Sequence, residues 1–156
     1  MEFNNQLIQI KRLDKQDVLI FQKLIQLFNK VFETENAEVT KETYLEKLLE
    51  NPCFIAYAII YKDEIIGGLT AYELAMYYSE SSEVFIYDIA VKPGFQQNGL
   101  GKKLLFALKE YCSQNRIKEI FVAVNEEDKH ALAFYRSTGG EEENVVHFNY
   151  ALKKAQ

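Results

Sequence analysis

The sequence predicts a single α/β domain built around a mixed sheet, and three patterns of apolar residues indicate it. Two β-rich runs, residues 54–61 and 65–74, are joined by a polar Lys-Asp-Glu turn, as in an antiparallel hairpin. A further apolar run at 84–91 is followed by a stretch of helical spacing and then by residues 117–124, which is a strand-helix-strand crossover. The length of 156 residues, with 48% hydrophobic and 26% charged residues, is that of an ordinary globular domain. We therefore expect residues 1–156 to form one domain.

The first third of the sequence predicts one strand and two helices. Residues 7–10 predict the strand, and apolar residues at helical spacing predict a helix that is capped by Asp14 or Asp17 and ends near Phe32. A second helix is expected to begin at Thr40, whose hydroxyl can cap it. Two helices therefore precede the hairpin.

The run at 84–91 is apolar except for Asp88, which predicts a strand that is covered on both faces. Strand alternation places Glu83 on the face opposite Asp88. After the crossover, residues 129–137 predict a short helix and residues 144–152 predict a last strand. The expected order is β-α-α-β-β-β-α-β-α-β.

Composition excludes several classes of protein. The net charge of −5 argues against nucleic acid as a partner, and the longest apolar run, residues 53–61, is shorter than the ~20 residues of a membrane-spanning helix. The first residues lack a basic, apolar leader, so a cytoplasmic location is expected. Cys53 and Cys112, expected to be buried or half-buried, and the two histidines have no metal-ligand spacing. We expect no metal.

The most informative segment is the Gly-rich turn between the strand at 84–91 and the following helix. Glycines allow a ligand to approach the backbone closely, and the first N–H groups of a helix have no partners within it. Such a turn binds a phosphate or pyrophosphate, and the adjacent lysines add positive charge. The residues expected to hold this anion are Gln96, Gln97, Asn98, Gly99, Leu100, Gly101 and Lys102.

Two nucleotide-binding patterns fail at this turn. The dinucleotide fingerprint GxGxxG requires a third glycine where Leu104 stands, and the Walker pattern requires a glycine at position 96 and a hydroxyl residue at position 103. The pattern that fits is Q/R-x-x-G-x-G/A, with Gln96, Gly99 and Gly101 in its three slots.

With this turn, the sequence resembles the GNAT superfamily of acetyl-CoA-dependent N-acetyltransferases over about residues 7–148. Residues 89–91 resemble the end of the family's fourth strand, and Asp128-x-x-Ala131-x-x-Phe134-Tyr135 resembles a later family motif. The family's fold is a mixed, mostly antiparallel sheet flanked by helices. The resemblance implies acetyl-CoA as cosubstrate, with contacts from the turn and from Ile89, Ala90, Val91, Asp128, Ala131 and Phe134.

The same resemblance assigns two catalytic groups. The backbone N–H of Val91 is expected to stabilise the oxyanion where the central strands separate, and the pantetheine arm is expected to lie along residues 89–91 like an added strand. Tyr135 matches the tyrosine that protonates the departing sulfur. The chain departs from the family pattern with Asp128 in place of Asn and Gly140 in place of Phe.

A narrower resemblance is to the aminoglycoside 3-N-acetyltransferases of this superfamily. It is carried by residues 86–91, residues 67–72, the acidic pair Glu127 and Asp128, and the ending at residues 146–148. The short end of the chain, with room for one strand after Gly140, is also shared with this subgroup.

A carboxylate inside an apolar strand is costly to bury unless it has a task or a partner. Asp88 therefore either faces a cleft, where it binds or deprotonates a cationic amine, or is satisfied by structural donors. The aminoglycoside resemblance favours the first interpretation. Glu127 and Asp128 are further candidates for binding the acceptor's ammonium groups.

The sequence thus predicts acetyl transfer to a primary amine of a polycationic acceptor, such as the 3-amino group of an aminoglycoside. A polyamine, another small amine or a protein N-terminus is the alternative acceptor, and a non-catalytic CoA-binding regulatory module is the alternative of another class. The room for a single final strand leaves a sheet edge that a partner subunit can cover, so a homodimer is expected.

Overall fold

The computed structural model describes residues 3–153, which form two compact units that divide after Ala123. The first unit contains five strands and three helices, and the second contains one helix. The elements are β1 (Ile8–Arg12), α1 (Val18–Val31), α2 (Glu42–Glu50), β2 (Phe54–Tyr61), β3 (Glu64–Ala75), β4 (Ser82–Val91), α3 (Leu100–Gln114), β5 (Ile117–Val122) and α4 (Lys129–Ser137).

The strands form one mixed sheet in the order β1-β2-β3-β4-β5. The first four strands pair antiparallel, whereas β4 and β5 pair parallel across the α3 crossover. Asp63, in the turn between β2 and β3, has a φ of 65° and Lys62 has a φ of 48°, both in the left-handed region that tight hairpin turns require. The predicted mixed, mostly antiparallel α/β sheet is confirmed.

Helices α1 and α2 cover one face of this sheet. Leu24, Phe21 and Leu45 from the helices pack into a buried cluster with Phe54, Ala56 and Ala58 from alternate positions of β2. Gly68 of β3 lies on the same face, beneath Leu24. The close approach of α1 to the sheet therefore depends on a position without a side chain.

Helix α3 covers the opposite face. Its buried side chains Leu104, Leu108 and Cys112 lie on the side that faces β2, β3 and β4. Tyr111 of α3 donates a hydrogen bond to Glu73 of β3 at 3.1 Å, and the Arg12 guanidinium lies 4.2 Å from the centre of the Tyr111 ring. These polar contacts bind the C-terminal half of α3 to β3 and β1.

The beginning of α1 is fixed by two aspartates. Asp14 and Asp17 form a capping box around the short 3₁₀ turn Lys15–Asp17, which leads directly into α1. Asp17 is buried and also accepts a hydrogen bond from the Lys11 ammonium group. The prediction that α1 ends near Phe32 is confirmed, since Phe32 follows its last residue.

Other sequence predictions for this unit are wrong in detail. Lys41, not Thr40, precedes α2, and no side chain caps that helix. Cys53 is exposed, because it lies in the turn before β2, whereas Cys112 is buried and its burial raises the pKa of the thiol to about 11. Strand β4 is not covered on both faces: Tyr87 is 62% exposed, although Val84, Ile86 and Ala90 are buried.

In the second unit, α4 has the predicted bounds. Asp128 caps its start by accepting the Ala131 N–H at 2.9 Å. The helix ends in a Schellman motif, in which Gly140 N–H donates to Tyr135 C=O at 3.0 Å and Gly139 has a φ of 87°.

The predicted last strand is wrong: residues 144–152 form no strand in the described part of the chain. A strand forms only where a neighbouring backbone accepts and donates the ladder hydrogen bonds, so an apolar β pattern by itself is insufficient. The large apolar side chains of this segment are exposed, Phe148 by 74%.

No helix among the described residues has the length and apolar character needed to cross a membrane.

Candidate active site

The parallel strands β4 and β5 pair along only part of β4, and the predicted cofactor residues lie beyond that part. Pairing between β4 and β5 runs from Ser82 and Ile117 to Ile86 and Val122, whereas β4 continues to pair with β3 as far as Val91. Residues 87–91 therefore extend beyond the last β5 partner in the described chain.

The backbone of Val91 has a defined orientation in this part of β4. Lys92 N–H donates to Ile66 C=O of β3 at 2.8 Å. Because successive N–H groups in a strand point to opposite edges, the Val91 N–H points away from β3, toward the edge of β4 that β5 pairs with only as far as Ile86. This is the position at which the sequence predicts the oxyanion donor.

The Gly-rich turn is held by its own amide side chains. The Gln96 amide donates to Val91 C=O at 3.0 Å, and the Asn98 amide donates to the carbonyls of Phe95 and Gln96 at 3.0 and 3.1 Å. Gln97 and Gly99 have φ values of 61° and 74°, which turn the chain into α3. The side chains of Gln96 and Asn98 therefore shape the turn.

The start of α3 presents backbone donors and positive charge. Gly99 precedes the helix without a side-chain cap, and the first helical hydrogen bond runs from Lys103 N–H to Gly99 C=O at 3.1 Å. The N–H groups of residues 100–102 therefore precede the intrahelical ladder. Leu100 is buried and anchors the turn, whereas Lys102 and Lys103 are exposed. The arrangement can bind an anion such as a pyrophosphate.

Asp88 lines an open cleft of about 270 Å³ between the sheet and helices α1 and α2. Burial raises the pKa of the Asp88 carboxyl to about 6, because the aromatic and aliphatic walls withdraw its charge from water. The other titratable side chains in the lining are the phenols of Tyr72 and Tyr87, and burial also raises the pKa of Tyr72. The residues of the lining are Phe21, Ile25, Phe28, Asn29, Phe32, Thr34, Leu48, Phe54, Thr70, Tyr72, Tyr87 and Asp88.

A β-bulge in β4 decides which side chains share this face. Asp88 pairs with Thr70 and Ile86 pairs with Ala71, so Tyr87 is an extra residue in β4. Glu83 pairs with Leu74, an even number of positions from Thr70, and so it lies on the same face as Asp88. The prediction that Glu83 faces the other way is wrong because it assumed an uninterrupted strand.

The acidic loop between α1 and α2 borders the cleft. Glu33, Glu35 and Glu38 are exposed, and Glu38 lines a second cavity of about 220 Å³ that shares Ile25 and Asn29 with the Asp88 cleft. The loop thus contributes carboxylates near the cleft, although none of the three lines the cleft itself.

The predicted residues of the second unit lie together at the start and along the length of α4. The Asp128 carboxylate is engaged in capping the helix, and the neighbouring Glu127 is exposed. Phe134 and Tyr135 are half-buried, with ring centres 5.0 Å apart. Ala131, the remaining motif residue, donates its N–H to Asp128.

Sequence reasoning missed Thr70 and Tyr72 as residues of the cleft. Both lie on β3, and their positions follow from the pairing of β3 with β4: Thr70 is opposite Asp88 and Tyr72 is opposite Phe85. The hairpin order of the strands indicates that β3 pairs with β4, but the bulge at Tyr87 decides which residues are opposite each other.

Comparison with known proteins gives the family. The model of the acetyltransferase (GNAT) family matches residues 21–139. Crystal structures of the aminoglycoside acetyltransferase meta-AAC0020, from an uncultured soil metagenomic sample, are 41% identical in complex with trehalose and 40% identical in complex with sisomicin. In both, the TM-score is 0.93 and the match covers 96% of this chain and 99% of that chain.

Two further proteins are similar. The aminoglycoside acetyltransferase HMB0005, also from an uncultured soil metagenomic sample, is 34% identical with a TM-score of 0.88, over 94% of this chain and 99% of that chain. A Bacillus subtilis protein, provisionally named an alanine N-acetyltransferase of ribosomal protein bS18, is 27% identical over 100 residues. That match spans 64% of this chain and 62% of the Bacillus protein.

The family model places these features, which are the free end of β4, the turn before α3 and the cleft at Asp88, in a GNAT acetyltransferase. Enzymes of that family use acetyl-CoA. The chain belongs to the GNAT acetyltransferase family and is an N-acetyltransferase.

Proposed function

We propose that this enzyme transfers an acetyl group from acetyl-CoA to a primary amine of a polycationic acceptor, the 3-amino group of an aminoglycoside. The observation that carries the proposal is the half-buried carboxylate of Asp88 in an aromatic cleft beside the end of β4. Apolar walls suit the faces of sugar and aminocyclitol rings, and one carboxylate suits an amine. Sisomicin in a relative 40% identical to this chain supports the acceptor class.

The cofactor half of the proposal follows the backbone. The pantetheine arm lies along Ile89, Ala90 and Val91 like an added strand, and the pyrophosphate binds the N–H groups of the turn at residues 96–101 with Lys102 nearby. The Val91 N–H donates to the oxyanion of the tetrahedral intermediate. The end of β5 pairing at Ile86 and the direction of that N–H support this role.

The proposed reaction begins when the acceptor ammonium gives one proton to Asp88. The neutral nitrogen attacks the thioester carbonyl, an N–C bond forms and the oxyanion develops. Collapse of the intermediate breaks the C–S bond, and the CoA sulfur takes a proton from Tyr135. A second proton leaves the acylated nitrogen and re-protonates Tyr135 through water. Acetyl-CoA, the acceptor ammonium and the Asp88 carboxylate thus yield the amide, the CoA thiol and protonated Asp88, which returns its proton to solvent.

The second unit contributes the residues that match the family motif. We propose that Ala131 and Phe134 contact the pantetheine, that Tyr135 is the general acid, and that Glu127 and Asp128 bind further ammonium groups of the acceptor. Asp128 also remains the cap of α4. In this proposal residues 1–156 act as one acetyltransferase domain in the cytoplasm, and the family match across both units, residues 21–139, supports it.

The test is release of CoA thiol from acetyl-CoA with sisomicin, spermidine or a peptide that begins with alanine. Saturable release is expected with sisomicin, with acetylation at the 3-amino group by mass spectrometry and NMR. We expect Tyr135→Phe to lower kcat about tenfold without changing CoA affinity, because a thiolate leaves without an acid, although more slowly.

Two outcomes contradict the proposal. Release with spermidine but not with sisomicin assigns a polyamine acceptor. Release with the alanine peptide alone assigns protein N-terminal acetylation, the second candidate, which the 27% identical Bacillus protein favours. Enzyme without acceptor corrects for the Cys53 thiol, which is exposed.

We also propose that the enzyme is a homodimer in which a second copy covers residues 144–152. This segment exposes Val145, Val146, Phe148, Tyr150 and Leu152 to solvent. Exposed apolar segments of this kind mark interaction sites, and β5 is the outermost strand of the described sheet, with a free edge.

Sedimentation at micromolar concentration is expected to give a dimer for the wild type and a monomer for Phe148→Asp. Val39→Asp is the control, since Val39 is 95% exposed but lies in the loop between α1 and α2. A monomeric wild type, or a dimer unaffected by Phe148→Asp, contradicts the assignment of this segment.

A further inference from the structure

Thr70 is a buried polar residue beside the proposed catalytic carboxylate. We infer that its hydroxyl oxygen holds the attacking nitrogen together with Asp88, and that this pair selects primary over secondary amines. The inference rests on the proposed function and adds a positioning and specificity-determining residue to it.

Geometry places the two side chains together. Thr70 of β3 and Asp88 of β4 are directly opposite in the antiparallel pair, and both line the cleft. Side chains in such a pair share one face, with Cβ atoms about 4.5–5.5 Å apart. That distance suits two groups that bind one small atom between their tips.

Thr70 lines the cleft although it is buried. In the described chain the buried polar residues are Asp17 and Thr70. Asp17 is engaged by Lys11 and by the Asp14 backbone N–H. Thr70 is 7% exposed and belongs to the lining of the cleft. Because Thr70 lines the cleft, we place its hydroxyl within reach of a ligand.

The chemistry of acyl transfer supplies the reason for a second acceptor. When an amine attacks, its lone pair points at the thioester carbon, so a primary amine is left with two N–H bonds. The oxygen of the Asp88 carboxyl that did not take the proton accepts one, and the Thr70 Oγ1 accepts the other, which fixes the direction of the lone pair. A secondary amine has a single N–H at this stage and turns a carbon substituent toward Thr70 or Asp88.

The other hydroxyl groups in the lining are poorer candidates. Tyr72 is opposite Phe85 in the register, two pairs further along the strand from Asp88 and beyond the bulge. Tyr87 is the bulged residue and is 62% exposed. Thr34 lies in the exposed loop after α1. Thr70 is the hydroxyl residue whose position is fixed opposite the carboxylate by the backbone.

The experiment compares sisomicin with its derivative that is methylated on the nitrogen which the wild type acetylates. Wild type is expected to prefer the primary amine by more than about 50-fold in kcat/KM, since one lost hydrogen bond and a misplaced substituent act together. Thr70→Val, which keeps the shape of the side chain, is expected to lower kcat/KM for sisomicin about 20-fold, mainly in kcat. For the methylated compound, kcat/KM of the variant stays within about threefold of wild type, so the preference for the primary amine is lost.

Thr70→Ser restores the hydroxyl, and we expect it to restore the preference to within about threefold of wild type. Thr43→Val, at an exposed position of α2, is the matched control. Unchanged KM for acetyl-CoA and unchanged Tm in Thr70→Val verify that the fold is intact.

An unchanged preference in Thr70→Val overturns the inference while the proposed function stands. Equal loss for both acceptors also overturns it, because that result assigns Thr70 a purely structural role. If the wild type acetylates no aminoglycoside, the proposed function fails and the inference fails with it.

Discussion

Asp88→Asn is expected to lower kcat/KM for the acceptor about 10²- to 10³-fold at pH 7, because the amide cannot accept the proton of the ammonium group. In the wild type, ionisation of the Asp88 carboxyl makes kcat/KM rise with pH up to about 6. The variant loses that rise. Steady-state kinetics between pH 5 and 8 measure both effects.

Asp63→Asn is the control, since Asp63 lies in the exposed turn between β2 and β3. A raised KM with unchanged kcat and an unchanged pH profile contradicts the role of Asp88 as base. That result assigns it to binding of the ammonium charge.

The same substitution is expected to stabilise the fold at neutral pH. The pKa of Asp88 is raised in the folded protein, so its contribution to stability is present below the unfolded value of 3.8 and is lost as the pH rises through about 6. Asn carries no charge at any of these pH values. We expect Asp88→Asn to exceed wild type by about 1 kcal/mol at pH 8, with screening by solvent allowed for, and to match it near pH 4.

Gly68→Ala is expected to destabilise the protein by about 3 kcal/mol, a fall in Tm of about 10 °C for a chain of this size. A Cβ at Gly68 comes within 2.4 Å of a Leu24 methyl group and 2.6 Å of the Tyr57 carbonyl oxygen. Leu24 can move, but the Tyr57 oxygen belongs to the neighbouring strand, so α1 or the sheet must shift. Urea unfolding measures the loss.

The adjacent glycine is the matched control. In Gly67→Ala the closest contact is 3.0 Å, to the Ala90 carbonyl oxygen, and we expect a smaller loss of about 1 kcal/mol. Leu24→Ala combined with Gly68→Ala relieves the methyl clash and leaves the clash with Tyr57. Stability equal to wild type in Gly68→Ala contradicts the close packing of α1 on β3.

Local chemistry made most of the fold predictable. The bounds of β2 and α4 agree with the sequence prediction because each is marked at both ends by turn or capping residues, such as Asp128 and Gly139. The turn before α3 was predictable for the same reason, since Gly99 adopts a conformation that other residues avoid.

What sequence patterns missed depends on partners outside each segment. The bulge at Tyr87 is set by how β4 meets β3, and it reversed the predicted face of Glu83. The same bulge places Thr70 opposite Asp88, which the apolar pattern around Thr70 does not predict. Residues 144–152 have the apolar pattern of a strand, but a strand also needs a neighbouring edge.

The hydrogen bonds of Gln96 and Asn98 to carbonyls of the Gly-rich turn have an energetic consequence. Because the turn is already preorganised by its own side chains, the proposed binding of a pyrophosphate there orders little further chain and loses little conformational entropy. The affinity for the cofactor then reflects the contacts it makes. Replacing either amide is therefore expected to weaken cofactor binding by loosening the turn.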